Sequence, residues 1–184
     1  MVSPLMAVKK HDLATLLEAC RERPDLDPCK YFVDAFTNPD PAARVEIANW
    51  MLDRGVDVNQ TVGRDGTNAL HVLFSQRNLD AHREAPLVQR MLDAGIDINA
   101  YSSRWGRPLQ VLRDNTGLAD ADLEPLYEVI FAHPGIDWNV PVSLKGADEK
   151  QTLRDRVESD AAIRPAMARR MAHYLENPPT TLHA

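Results

Sequence analysis

Six histidines, two cysteines and aspartates at regular spacing are the side chains that could hold a metal or run acid–base chemistry. A metal needs such ligands clustered at short, fixed spacing. Cys20 and Cys29 stand alone, with His11 at a distance, and His71, His82, His133, His173 and His183 are scattered along the chain. No metal site is expected. A nucleophilic serine in a strained elbow would read Gly-x-Ser-x-Gly. None of Ser3, Ser75, Ser102, Ser103, Ser143 and Ser159 has that setting. The eight glycines are mostly spent on caps and turns, and none forms a phosphate-cradling loop. Asp57, Asp97 and Asp137 recur at equivalent places, whereas a catalytic carboxylate pair is a unique constellation. Their recurrence points to turn architecture. The expectation is a chain with no catalytic residues and no cofactor, which is not an enzyme.

The elements that carry these residues repeat. Trp50-Met51-Leu52-Asp53-Arg54-Gly55-Val56-Asp57-Val58-Asn59 is echoed by Arg90 to Asn99 and, more loosely, by Ile130 to Asn139. The glycines Gly55, Gly95 and Gly135 lie 40 residues apart. In each copy an apolar helix runs into a glycine, which can take the left-handed conformation that caps the last carbonyls. Apolar and polar residues then alternate, and Asp and Asn shape a turn through nearby backbone. A second element begins at Gly66-Thr67-Asn68-Ala69-Leu70-His71 and at Gly106-Arg107-Pro108-Leu109-Gln110, where Pro108 suits a helix start. Asp40-Pro41 reads as an N-cap followed by proline, and Asp120 or Asp122 has the same part before Leu123.

Each unit is therefore a helix, a turn, a second helix and a hairpin loop. The sequence resembles the ankyrin repeat family. That family's Gly-Ala-Asp-Val-Asn is matched by Gly55–Asn59 and Gly95–Asn99, and its Thr-Pro-Leu-His partly by Asn68–His71 and Arg107–Gln110. The resemblance is good over 41–112 and weaker elsewhere, and the period is 40 rather than 33. The extra residues fall in the inter-helix turn 78–84 and in the loop 140–150. The resemblance implies an all-α, ankyrin-type helical repeat solenoid with short hairpin loops, in which His71 bonds backbone between repeats.

The predicted layout is an N-terminal capping helix at 9–22 within residues 1–28. A repeat array follows at 29–176, divided about 29–66, 67–106, 107–149 and 150–176, and then a flexible tail at 177–184. Helices pair near 29–37 with 41–54, 67–77 with 85–94, 107–114 with 120–133, and 150–158 with 162–175. The last repeat must face water, which Glu158, Arg164, Arg169 and Arg170 would suit. Trp50 and Trp138 are expected to pack inside. His133 closes a helix, where the dipole favours a cation.

With 44% hydrophobic and 26% charged residues, the 184-residue chain has enough apolar material for a core. Its net charge of −6 is spread along the chain, which argues against nucleic acid as a partner. MVSPLMAVKK lacks the pattern of a signal peptide, and no apolar run of membrane-spanning length occurs, so a cytoplasmic location and no membrane partner are expected. Sixteen arginines against five lysines, with abundant Ala and Asp, suggest a bacterial protein suited to interfaces.

The family resemblance implies binding of another protein through the inner helices and hairpin tips. Register carries that role to Arg64, Asp65, Val72, Tyr101, Arg104, Trp105, Val111 and Lys145. Trp, Tyr and Arg dominate interface hot spots. Trp105 has two readings, an interface anchor or a residue folded back onto the next helix. The first alternative function is an immunity protein that neutralises a bacterial toxin, with a basic toxin domain as partner, since opposite charge speeds encounter. The second is an enzyme with a site in loop 140–150 or turn 78–84.

Overall fold

Proline and short polar caps set most of the helix starts. The computed structural model describes residues 2–144 and 150–180. Its helices are α1 (Pro4–Lys10), α2 (Leu13–Glu22), α3 (Phe32–Ala35), α4 (Pro41–Leu52), α5 (Ala69–Phe74), α6 (Ala81–Asp93), α7 (Pro108–Asp114), α8 (Glu124–Ala132), α9 (Leu153–Ser159) and α10 (Pro165–Glu176). Single 3₁₀ turns, Pro28–Tyr31 and Asp120–Leu123, lead into α3 and α8. Among the described residues there is no strand. Isolated bridges Val62–Thr67, Ser102–Gly106 and Pro141–Thr152 close the bases of three hairpin loops. The chain is all-α.

Pro4, Pro41, Pro108 and Pro165 each open a helix, where the missing N–H costs nothing. Asp40 and Asp80 accept the first-turn amides of α4 and α6 at 2.9 and 3.1 Å. Gly55 and Gly95, at φ +70° and +87°, close those helices. The next amide reaches back five residues, from Val56 to the Met51 carbonyl and from Ile96 to that of Met91.

Helices α2, α4, α6, α8 and α10 pack in sequence into one layer, and α1, α3, α5 and α7 into a second; α9 packs on α10. One apolar cluster runs between the layers, from Val8 through Ile47, Leu73, Met91 and Ile130 to Met171.

Several expectations need correction. The predicted single capping helix is a pair, broken at His11, with Asp12 accepting the Thr15 amide at 2.9 Å to start α2. The pair continues both layers. Helix α6 starts at Ala81, not 85, and carries Pro86 on its exposed side. Asp120 caps nothing in its own helix. It accepts Tyr127 Oη–H at 2.9 Å and the Ala166 amide at the start of α10 at 2.5 Å. Arg164 does not face water: it is 3% exposed and donates to the carbonyls of Arg113, Asn115 and Leu118. Residues 181–184 of the predicted tail lie outside the described residues.

Two sets of polar side chains tie unit to unit. At the inter-helix turns they reach back. Asn38 Nδ2 donates to Val8 and His11 carbonyls at 3.0 and 2.8 Å, Asn78 to Pro39, and Asn115 to Phe74 and Gln76 at 2.9 and 2.8 Å. At the hairpin bases they reach forward. Asn59 Nδ2 donates to the Gly95 carbonyl at 2.9 Å and its Oδ1 accepts the Asp97 amide at 2.9 Å. Asn99 repeats both bonds with Gly135 and Asp137, at 2.8 and 3.0 Å. Asp57, Asp97 and Asp137 each accept the amide two residues on at 2.8–3.0 Å, the turn role expected of them. The buried pair Arg44–Glu84 adds a bridge between α4 and α6.

His71 is wholly buried and links two units. The Gly106 carbonyl can only accept, so Nε2–H donates to it at 3.0 Å, and Nδ1 accepts the Asn68 amide at 3.2 Å. Burial lowers the pKa of His71, and also that of His133, from the ordinary 6.5. At His133 this burial opposes the cation that the helix dipole was expected to favour. An unfolded imidazole takes up a proton near pH 6.5 while these two resist it, so the unfolded state binds more protons. Stability should fall as pH drops from 7.5 through 6.5 toward 5.5, before most carboxylates titrate. Urea midpoints across that range check this, and a flat profile refutes it. His71→Gln should flatten the slope.

Candidate functional site

The hairpin loop before α7 is fastened from beneath. Ser102 is fully buried, and its backbone exchanges two 2.8 Å bonds with Gly106. Ser102 Oγ accepts the amides of Arg104 and Trp105 at 3.3 and 3.2 Å and sits 2.9 Å from Thr67 Oγ1. The Ser103 amide donates to the Asp65 carbonyl of the preceding hairpin at 2.8 Å. The two hairpins approach so closely that a Cβ on Gly66 (φ +76°) would lie 2.7 Å from the Tyr101 carbonyl oxygen. With the backbone used in this way, Arg104 and Trp105 point outward. Trp105 is 37% exposed, with the Arg104 guanidinium 5.0 Å from its ring centre. The Arg107 guanidinium lies 5.1 Å from the Tyr101 ring centre and donates to the Asn99 and Pro141 carbonyls. Tyr101 Oη accepts the Leu144 amide at 3.4 Å.

Beside this loop opens a cavity of about 790 Å³. Its walls are the loop itself, one side of α7, the turn Asn115–Gly117, the end of the α5 segment at Ser75 and Arg77, and Val142 and Ser143 of the next hairpin. Of the residues predicted to bind a partner, Tyr101, Arg104, Trp105 and Val111 line it together. Val111 is 7% exposed and offers only an edge. Arg64, Asp65 and Val72 are not in its wall. Arg64 is exposed on the preceding hairpin, and Val72 is half-buried on α5. Asp65 is engaged in its own turn, accepting Thr67 N–H and Oγ1–H at 3.4 and 3.0 Å. Lys145 lies outside the described residues. Sequence reasoning missed Arg77, Gln110 and Asp114 in the wall. Gln110 is adjacent to the chosen Val111, so a register one residue wider would have included it.

A second cavity, of about 520 Å³, lies between Cys20, Cys29, Trp50 and Arg54. Trp50, expected in the core, packs against it only in part. It is half-buried, with the Arg54 guanidinium 3.7 Å from its ring centre. Burial raises both thiol pKa values above 9.0, so the reactive thiolate is scarce at neutral pH. In turn 78–84, Asn78, Asp80 and Glu84 are engaged in structural bonds. Among the described residues no three His, Cys, Asp or Glu side chains are grouped to hold a metal, and no helix is long and apolar enough to cross a membrane.

The sequence matches no protein-family model and no curated protein. Among solved structures, the chain is similar to a functionally unknown protein from Leptotrichia buccalis C-1013-b. The TM-score is 0.73 at 19% identity, over 95% of this chain and 93% of that one. A likeness at this identity speaks to fold alone.

Proposed function

We propose that this chain is an ankyrin-type repeat array serving as a protein–protein interaction scaffold, which binds its partner through the concave helix face and the hairpin tips. The unit-to-unit asparagine bonds and the bridging His71 support the ankyrin-type reading. The binding reading rests on one observation: Trp105 is held out beside an open groove on a loop whose backbone is already fixed by Ser102. An exposed aromatic on a rigid support binds without first losing loop entropy. The alternative, an inhibitor of a basic toxin, draws on exposed carboxylates of the other helix layer, Glu46, Asp53, Asp93 and Glu128, and so uses a different face.

A photoreactive residue placed at Trp105 or at Glu46 separates the two readings. In native cells the Trp105 position should yield one discrete covalent adduct that Arg104→Ala abolishes, and the Glu46 position should yield none. An adduct from Glu46 alone overturns the groove reading.

A further inference from the structure

We propose that the segment seated in this groove is acidic and extended, with at least one aromatic or other apolar side chain. This names the partner chemistry for the protein-binding reading above and rests on it. The molecule as a whole carries −6, yet the groove is locally basic. Arg77 and Arg104 line it and are exposed, and Arg64 stands exposed on the adjoining hairpin. Among the described residues none of the three forms an ion pair. Asp114 is the one described carboxylate in the wall, and it is tied to Arg113, a guanidinium it shares with Asp160. The other described carboxylates lie outside this wall.

Free guanidinium groups favour carboxylates, which they grip with paired, charge-assisted hydrogen bonds. The Tyr101 and Trp105 rings and the edges of Val111 and Val142 line the same groove. An extended segment sends alternate side chains to opposite sides, so acids can meet the arginines while an apolar residue meets the rings. The cavity, about 790 Å³, is of a size that holds a short segment rather than a folded domain. A nucleic acid would need a longer basic stripe and would be repelled by the net charge.

The test is a random-peptide display library panned on the full chain, counter-selected on Trp105→Ala. Clones that depend on Trp105 should be rich in Asp and Glu around an aromatic residue. A synthetic peptide from such a clone, followed by fluorescence polarisation, should lose affinity with added salt. It should bind at least about tenfold more weakly to Arg77→Glu/Arg104→Glu. Both side chains are exposed, so the variant keeps its circular dichroism. Trp105-dependent clones without acidic residues overturn this inference and leave the protein-binding groove standing. No Trp105-dependent clones overturn both. Oligothymidylate that displaces the peptide at lower concentration than the peptide displaces itself assigns the groove to nucleic acid and overturns the inference.

Discussion

Glu84→Leu should destabilise the fold by about 3–5 kcal/mol, the cost of leaving a buried charge without its counter-ion. Arg44 and Glu84 are each 0% exposed in their side chains. Arg44 Nε and Nη2 donate to the two carboxylate oxygens at 2.6 and 3.1 Å, and Nη1 donates to the Asn38 carbonyl at 2.7 Å. Glu84 also accepts the Asp80 amide at 2.7 Å. Without the carboxylate, a desolvated guanidinium and a free backbone amide remain inside the protein. Urea unfolding should show the loss as a lower midpoint at unchanged slope. The double variant Arg44→Met/Glu84→Leu should recover most of the stability, because an apolar pair of similar volume removes the uncompensated charge. A single variant losing under about 1 kcal/mol would behave like a surface pair and contradict the burial described.

Trp138→Ala should cost a similar amount, about 3–5 kcal/mol, as for other large aromatic truncations in a core. The indole is 2% exposed, stacked on Phe131 with ring centres 5.5 Å apart and set edge-on to Tyr174 at 6.1 Å. It occupies the place taken one and two units earlier by Ile98 and Val58, and its larger ring packs against both α8 and α10. Its Nε1–H is buried without a hydrogen-bond partner. Trp138→Phe should therefore be much milder, since it removes an unsatisfied donor together with some volume. Thermal melts of the two variants check the order. Equal losses would mean that the indole nitrogen matters more than its packing.

The parts legible in the sequence were those whose bonds stay within a few residues. The closing glycines, the Asp57, Asp97 and Asp137 turns and the cap Asp40 all act locally, and spacing alone exposed them. Most of the misread parts have a partner in another unit, although the Asp80 cap, missed with the start of α6, is local. Asp40, Asp80, Asp120 and Asp160 recur every 40 residues. The first two cap their own helices, Asp120 caps α10, and Asp160 meets Arg113. Arg164 looked like a surface residue because nothing beside it in the chain announces the three carbonyls it meets. The short α1 was missed because seven residues give too little periodicity to register. At the groove, sequence left Trp105 with two readings. The Arg104 and Trp105 amides donate to the buried Ser102 hydroxyl, and in the loop so held Trp105 is 37% exposed. Arg77 reaches the same wall through the turn after α5, whose path no local pattern foretold.

A chain made on the ribosome emerges N-terminus first. Asn38, Asn78, Asn115 and Arg164 therefore meet carbonyls that were synthesised before them, and the inter-helix edge of each unit can set as soon as the unit appears. Asn59, His71 and Asn99 must wait for residues not yet made, so the hairpin edge stays open until its successor arrives. The growing protein is thus zipped along one side ahead of the other. The Tyr101–Gly106 loop, whose Gly106 is the acceptor for His71, closes the bonds of the unit before it at the moment it takes its own shape.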